Sequence, residues 1–185
     1  MTQDEEEFDP ELVDVSVRIE REGQDGYNAL RSLWVEITYD DDDADGPKPI
    51  GGMNGWITLN PDSPDLADAG DCVGHDAMVL TAAAAAISQK HSRYWLGLLI
   101  DRFWLDETWR GRRLTGRIVD QVLDLLQRDR DEAVVVLVPE PQQLGGGGPY
   151  PDGPERDQAK ARLEAAYKTA GFRRWKKSSV WWLAK

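Results

Sequence analysis

Apolar and polar residues alternate from Val13 to Glu20, and this period-two pattern predicts a half-buried strand over residues 12–20. The same alternation returns over 33–39, a second strand. Residues 54–59 read as a third strand, an antiparallel partner of the second. Between them, residues 40–51 hold four consecutive aspartates with proline and glycine, the composition of a loop. A turn and helix-entry signal follows at 60–64. Five consecutive alanines, 82–86, place a helix over 77–90, because alanine is the strongest helix former. Residues 94–105 are almost continuously apolar and suit a buried central strand. Over 110–128 the apolar residues Leu114, Ile118, Val119, Val122, Leu123, Leu125 and Leu126 fall on one helical face. A second buried strand is predicted at 133–138, then a long Gly/Pro loop at 139–154. A helix over 156–170 stops at Gly171. Residues 172–175 and 179–184 read as a closing hairpin.

Strand–helix–strand alternation in the middle implies a parallel pair, and hairpins at both ends imply antiparallel flanks. The fold class is therefore α+β: a mixed central sheet with a parallel pair in the middle, antiparallel flanks and helices on both faces. The chain of 185 residues suits one domain, over 11–185, behind a disordered acidic tail at 1–10.

Charge sharpens this picture. The net charge is −12, but it divides into −15 up to Arg93 and +3 from Tyr94 onward. A nucleic-acid coat over the whole surface is disfavoured, since phosphate binding needs a basic footprint. The acidic runs at 4–7 and 40–43 read either as solvated tail and loop tip or as a field that attracts a cationic substrate. The single cysteine, Cys72, excludes an internal disulfide. Cys72 and His75 alone make no metal site, so no metal is expected. No apolar run approaches the roughly 20 residues of a membrane span. With an acidic rather than basic N-terminus, the expectation is a soluble cytoplasmic protein with no membrane partner.

The segment with the densest chemistry joins the buried strand to the amphipathic helix: Leu105-Asp106-Glu107-Thr108-Trp109-Arg110-Gly111-Arg112-Arg113-Leu114-Thr115-Gly116. A glycine turn at a helix N-terminus offers free backbone N–H groups and about half a positive charge, which together bind phosphate. Arg110, Arg112, Arg113 and Arg117 crowd that end. Cations there oppose the helix dipole unless an anion fills the site. The plain reading is a glycine turn with a basic, solvated face.

This turn, with the downstream run Ala166-Tyr167-Lys168-Thr169-Ala170-Gly171-Phe172, resembles the GNAT superfamily of N-acetyltransferases. The resemblance covers roughly residues 94–184. The superfamily's pyrophosphate turn, Arg/Gln-x-x-Gly-x-Gly/Ala, falls on Arg110, Gly111, Arg112, Arg113, Leu114 and Thr115. Arg113 stands where glycine is usual, Thr115 where glycine or alanine is usual, and Gly116 comes one residue late. Arg113 either blocks the path of a pyrophosphate or pairs with it.

The resemblance implies acetyl-CoA as acyl donor, with direct attack by an amine and no acyl-enzyme. It implies that the buried strand splays from its neighbour and that backbone groups at Phe103, Trp104 and Leu105 hold the pantetheine arm in the gap. It implies that Tyr167 hydrogen-bonds the departing thiolate; the alternative is a core tyrosine beside Phe172. An amine with a pKa near 10.4 must shed a proton, and Asp101 and Glu36 are the candidate bases. Trp104 and Trp109 flank the turn as pocket wall or packing. Trp181 and Trp182 would face opposite sides of one strand, one of them free for a homodimer contact or a substrate wall. Two functions follow: an active N-acetyltransferase acting on a cationic amine, or a degenerate GNAT fold that binds a partner or a CoA species without turnover.

Overall fold

The computed structural model describes residues 8–21, 29–41, 46–91, 94–142 and 148–183. Among them, β1 (Val13–Arg21), β2 (Arg31–Tyr39), β3 (Lys48–Thr58), β4 (Leu96–Leu105), β5 (Ala133–Leu137), β6 (Phe172–Arg174) and β7 (Trp181–Leu183) form one sheet. Its order is β1-β2-β3-β4-β5-β7-β6. Only β4 and β5 are parallel; every other pair is antiparallel. This is a mixed α+β sheet with a parallel pair inside antiparallel flanks.

The two faces carry separate cores. Helices α1 (Leu66–Val73) and α2 (His75–His91) cover one face, where Leu80, Ala84 and Ile87 meet Leu99, Val134 and Val136. Helices α3 (Leu114–Leu125) and α4 (Pro154–Thr169) cover the other, where Ile118, Val122 and Tyr167 meet Leu98, Ile100 and Leu137. All five residues of β5 are buried, as a strand covered on both faces requires.

The structure departs from the sequence reading in three places. β3 begins at Lys48, inside the predicted loop, and takes in Gly51 and Gly52. A Cβ on Gly51 would lie 2.3 Å from the Trp104 carbonyl oxygen, and one on Gly52 would lie 2.5 Å from the Trp104 ring. These glycines admit a neighbouring strand rather than mark a turn. The helix-entry signal at 60–64 leads into helix α1, whose span the sequence pattern did not mark; its Gly70 sits where a Cβ would fall 2.1 Å from Thr81 Oγ1 of α2. Helix α3 starts at Leu114, not at 110, because Gly111 (φ +77°) and Arg113 (φ +59°) hold left-handed conformations. Residues 1–7 of the expected tail, and 143–147 of the Gly/Pro loop, lie outside the described residues. Phe8, at the other end of that tail, packs on Tyr39 and Trp109.

Candidate functional site

The parallel pair separates partway along its length. Rungs run from Leu96/Ala133 to Ile100/Leu137 and stop, while β4 continues to Leu105 against β3. Two local causes act together. On β5's side, Pro139 and Pro141 follow within four residues, and proline donates no ladder hydrogen bond. On β4's side, the β3 register slips at Asp101: Asn54 faces Arg102 while Gly55 faces Ile100. Such a bulge bends its strand and increases its twist.

The bulge also resets side-chain parity. Leu96, Leu98 and Ile100 face α3 and α4; beyond Asp101 the same face receives Phe103 and Leu105. Backbone direction follows. The Asp106 N–H donates to the Ile50 carbonyl at 2.8 Å, so Asp106, and Trp104 two residues before it, turn their backbone groups to β3. Phe103 and Leu105 therefore turn theirs into the gap. The gap holds a cavity of about 430 Å³ lined by Asn54, Asp101, Phe103, Val138, Glu140 and Tyr167, among others.

A second cavity, about 1070 Å³, lies between α3 and α4 and includes the whole turn from Gly111 to Arg117. Leu105 lines both cavities, so gap and turn adjoin. The amides of Leu114, Thr115 and Gly116 begin α3 and have no intrahelical acceptor. At Gly111 a Cβ would meet nothing within 4 Å, so the backbone there is open to a ligand. Gly116 instead faces α4, with Ala170 3.7 Å from a notional Cβ.

The four arginines are not equivalent. Arg110 Nε donates to the Leu105 carbonyl at 2.8 Å. Arg112 Nε donates to the Thr108 carbonyl, and its guanidinium stacks over Phe8 and Trp109. Arg117 makes a two-pronged pair with Glu11, at 2.6 and 3.0 Å, which holds the Glu11 carboxyl below its usual range. Arg113 lines the larger cavity, and among the described residues no protein group is seen to pair with it. Its left-handed backbone is the conformation glycine adopts most readily.

Tyr167 is 4% exposed, lies edge-on to Phe172 and borders the gap. Burial pushes its hydroxyl pKa well above the ordinary value, so the ring stays protonated. The Asp101 carboxyl is also raised, chiefly by burial; Arg102, 3.6 Å away, opposes this and Asp76 reinforces it. Glu36 is elsewhere. It is exposed on β2 and lies across β3 from β4, in the row Glu36–Gly52–Trp104. Trp104 is 44% exposed on that same face, away from Phe103 and Leu105. Trp109 closes against Tyr39 at 4.6 Å. Trp181 is buried, while Trp182 stacks on His91. Among the described residues, no three His, Cys, Asp or Glu side chains gather as metal ligands, and no helix is long and apolar enough to cross a membrane.

Two residues at the site lie outside the set expected from sequence. Asn54 lines the gap with its side-chain oxygen buried and unpartnered among the described residues. Glu140 borders the gap, held by Arg156 at 2.7 and 3.0 Å. Comparison of the chain with protein families, curated proteins and solved structures finds no match.

Proposed function

We propose that the chain is an acetyl-CoA-dependent N-acetyltransferase of the GNAT type, moving an acetyl group directly to a primary amine. The observation that carries this reading is the split between β4 and β5, with Phe103 and Leu105 turning backbone groups into it and the open turn of α3 adjoining it. The residues present suit such a donor. The Phe103 and Leu105 backbone is placed to pair with an amide-bearing arm. The first-turn amides of α3, with Arg113, suit a pyrophosphate. Acetyl-CoA supplies the activated thioester.

The remaining steps belong to side chains. Asn54 Oδ1 offers an acceptor to the incoming amine. Asp101, made more basic by burial, takes its proton as the C–N bond forms and the C–S bond breaks. Tyr167 is too weak an acid to give its proton away freely, so it acts as a hydrogen-bond donor to the developing thiolate.

One observation favours the second reading, a CoA-binding protein without turnover: Arg110 Nε already occupies the Leu105 carbonyl that the arm would use. Titration with acetyl-CoA, followed by thiol release against a panel of amines, separates the two. Saturable heat, a rise in Tm and thiol release are expected. Tyr167→Phe should then slow release about 10²-fold or more, the loss of one hydrogen-bond donor to the developing thiolate, with little change in binding. Binding without release on any amine selects the second reading. No binding removes both.

A further inference from the structure

The first strand of the sheet has one side that no described strand pairs. β1 stands at the end of the order, paired only with β2 among the described residues. The direction of its backbone is fixed at its start. The Asp40 N–H donates to the Leu12 carbonyl at 2.9 Å, so even-numbered residues turn to β2 and odd-numbered ones turn outward. Two contacts agree. The outward Val13 carbonyl accepts from Gln121 Nε2 at 2.7 Å. The outward Val15 N–H meets no strand among the described residues and donates to the Asp14 carboxylate at 2.8 Å. Past that point Val17 is half-buried and Ile19 is 39% exposed.

We propose that two copies of this chain associate through this edge, their β1 strands pairing antiparallel about Ser16 into one continuous sheet. The sequence Val13-Asp14-Val15-Ser16-Val17-Arg18-Ile19 is complementary to itself in that register. Val15 faces Val17 of the second copy, Val13 faces Ile19, and Asp14 faces Arg18, each pair occurring twice about the dyad. The outward residues Val15 and Val17 form hydrogen-bonded rungs. Asp14 and Arg18 fall in the non-bonded rungs, where side chains approach more closely.

Other in-phase registers fit less well. Centring on Val17 engages the whole strand but sets Asp14 against Glu20. Centring on Arg18 sets that arginine against itself. Centring on Ile19 pairs Arg18 with Glu20 but engages only residues 17–21 and opposes Val17 to Arg21. Registers offset by an odd number bring apolar residues against polar ones. Association also relieves the edge. The Val17 carbonyl of the second copy takes over the Val15 N–H, which frees Asp14 for the second Arg18. Glu20, 3.3 Å from Arg18 on the exposed surface, gives way at little cost.

The proposal is independent of the catalytic reading. It is tested by sedimentation velocity on the full chain across a range of concentrations. The wild type should shift from monomer to dimer as concentration rises. Arg18→Asp should weaken the dimer at least tenfold, and Asp14→Arg combined with Arg18→Asp should restore it. Val17→Pro removes an outward N–H that β2 does not use, so it should yield a folded monomer. A wild type monomeric at every concentration overturns the proposal. So does a dimer indifferent to Arg18→Asp, and so does loss without rescue in the double variant.

Discussion

At Arg113 two opposite effects meet in one residue. Its left-handed backbone costs a non-glycine residue about 1–2 kcal/mol. Its side chain is the turn arginine that the fold leaves without a protein partner among the described residues. Arg113→Gly should therefore raise Tm while weakening acetyl-CoA binding by about 1.5 kcal/mol, the low end for a hydrogen bond to a charged group. Calorimetry and a thermal melt on the same variant check both signs. Tighter binding would mean that the arginine obstructs the turn. Asp101 makes a pH-dependent prediction. Its raised pKa means that the folded state holds a proton more tightly than the unfolded chain. Stability then falls as pH rises from the ordinary carboxylate range through the raised value. Asp101→Asn should remove that slope. The variant should gain stability over wild type at neutral pH and lose the advantage in acid, as read by denaturant unfolding at several pH values. Neither residue's state was legible beforehand. Sequence shows an arginine where glycine is usual, but only a dihedral angle shows that it has taken glycine's conformation.

Most elements were legible because their signals are local: alternation for β1 and β2, an apolar run for β4, helical spacing for α3 and a glycine stop at Gly171 for α4. The failures came where glycine serves packing. Gly51 and Gly52 looked like a loop because their partner is Trp104, some fifty residues away. Gly70 likewise hides α1, since only α2 explains it. The split between β4 and β5 was implied by family resemblance alone; its physical causes, the bulge at Asp101 and the prolines after β5, require the register. Residues 1–10 were read as tail, yet Phe8 fastens to the turn through Arg112, and Glu11, the first residue beyond it, pairs with Arg117. Glu11 so placed neutralises a cation beside the end of α3 proposed to bind the pyrophosphate. Glu11→Gln should tighten acetyl-CoA binding at low salt, with the gain fading as salt is added. Unchanged or weaker binding would show that the pair serves to position Arg117 instead. The Glu11 carboxyl is held low by its arginine, so this contact stabilises the fold above the ordinary glutamate range and is lost as pH falls through the depressed value.

Across the whole molecule the charges are sorted. Asp62, Asp65, Asp68, Asp71 and Asp76 stand exposed on and beside α1 and the start of α2, and Asp76 is near enough to act on Asp101. The arginines gather at the other mouth of the gap. This arrangement favours an anionic donor on one side and a cationic amine on the other. Under that reading, kcat/KM for a cationic amine should fall with ionic strength and be visibly lower by about 0.5 M, where the Debye length is well under 8 Å. A salt-independent value would assign the acidic residues to solubility. The sheet is in effect two half-sheets fastened along a five-rung seam, Leu96–Ile100 against Ala133–Leu137. Beyond the seam, one strand has bonded and unbonded amides in strict succession. In deuterated water the Trp104 and Asp106 amides, bonded to β3, should therefore exchange slowly, while those of Phe103 and Leu105 exchange fast. A ligand lying in the gap should quench the fast pair alone, so isotope uptake along four residues would report occupancy of the gap without any assay of turnover.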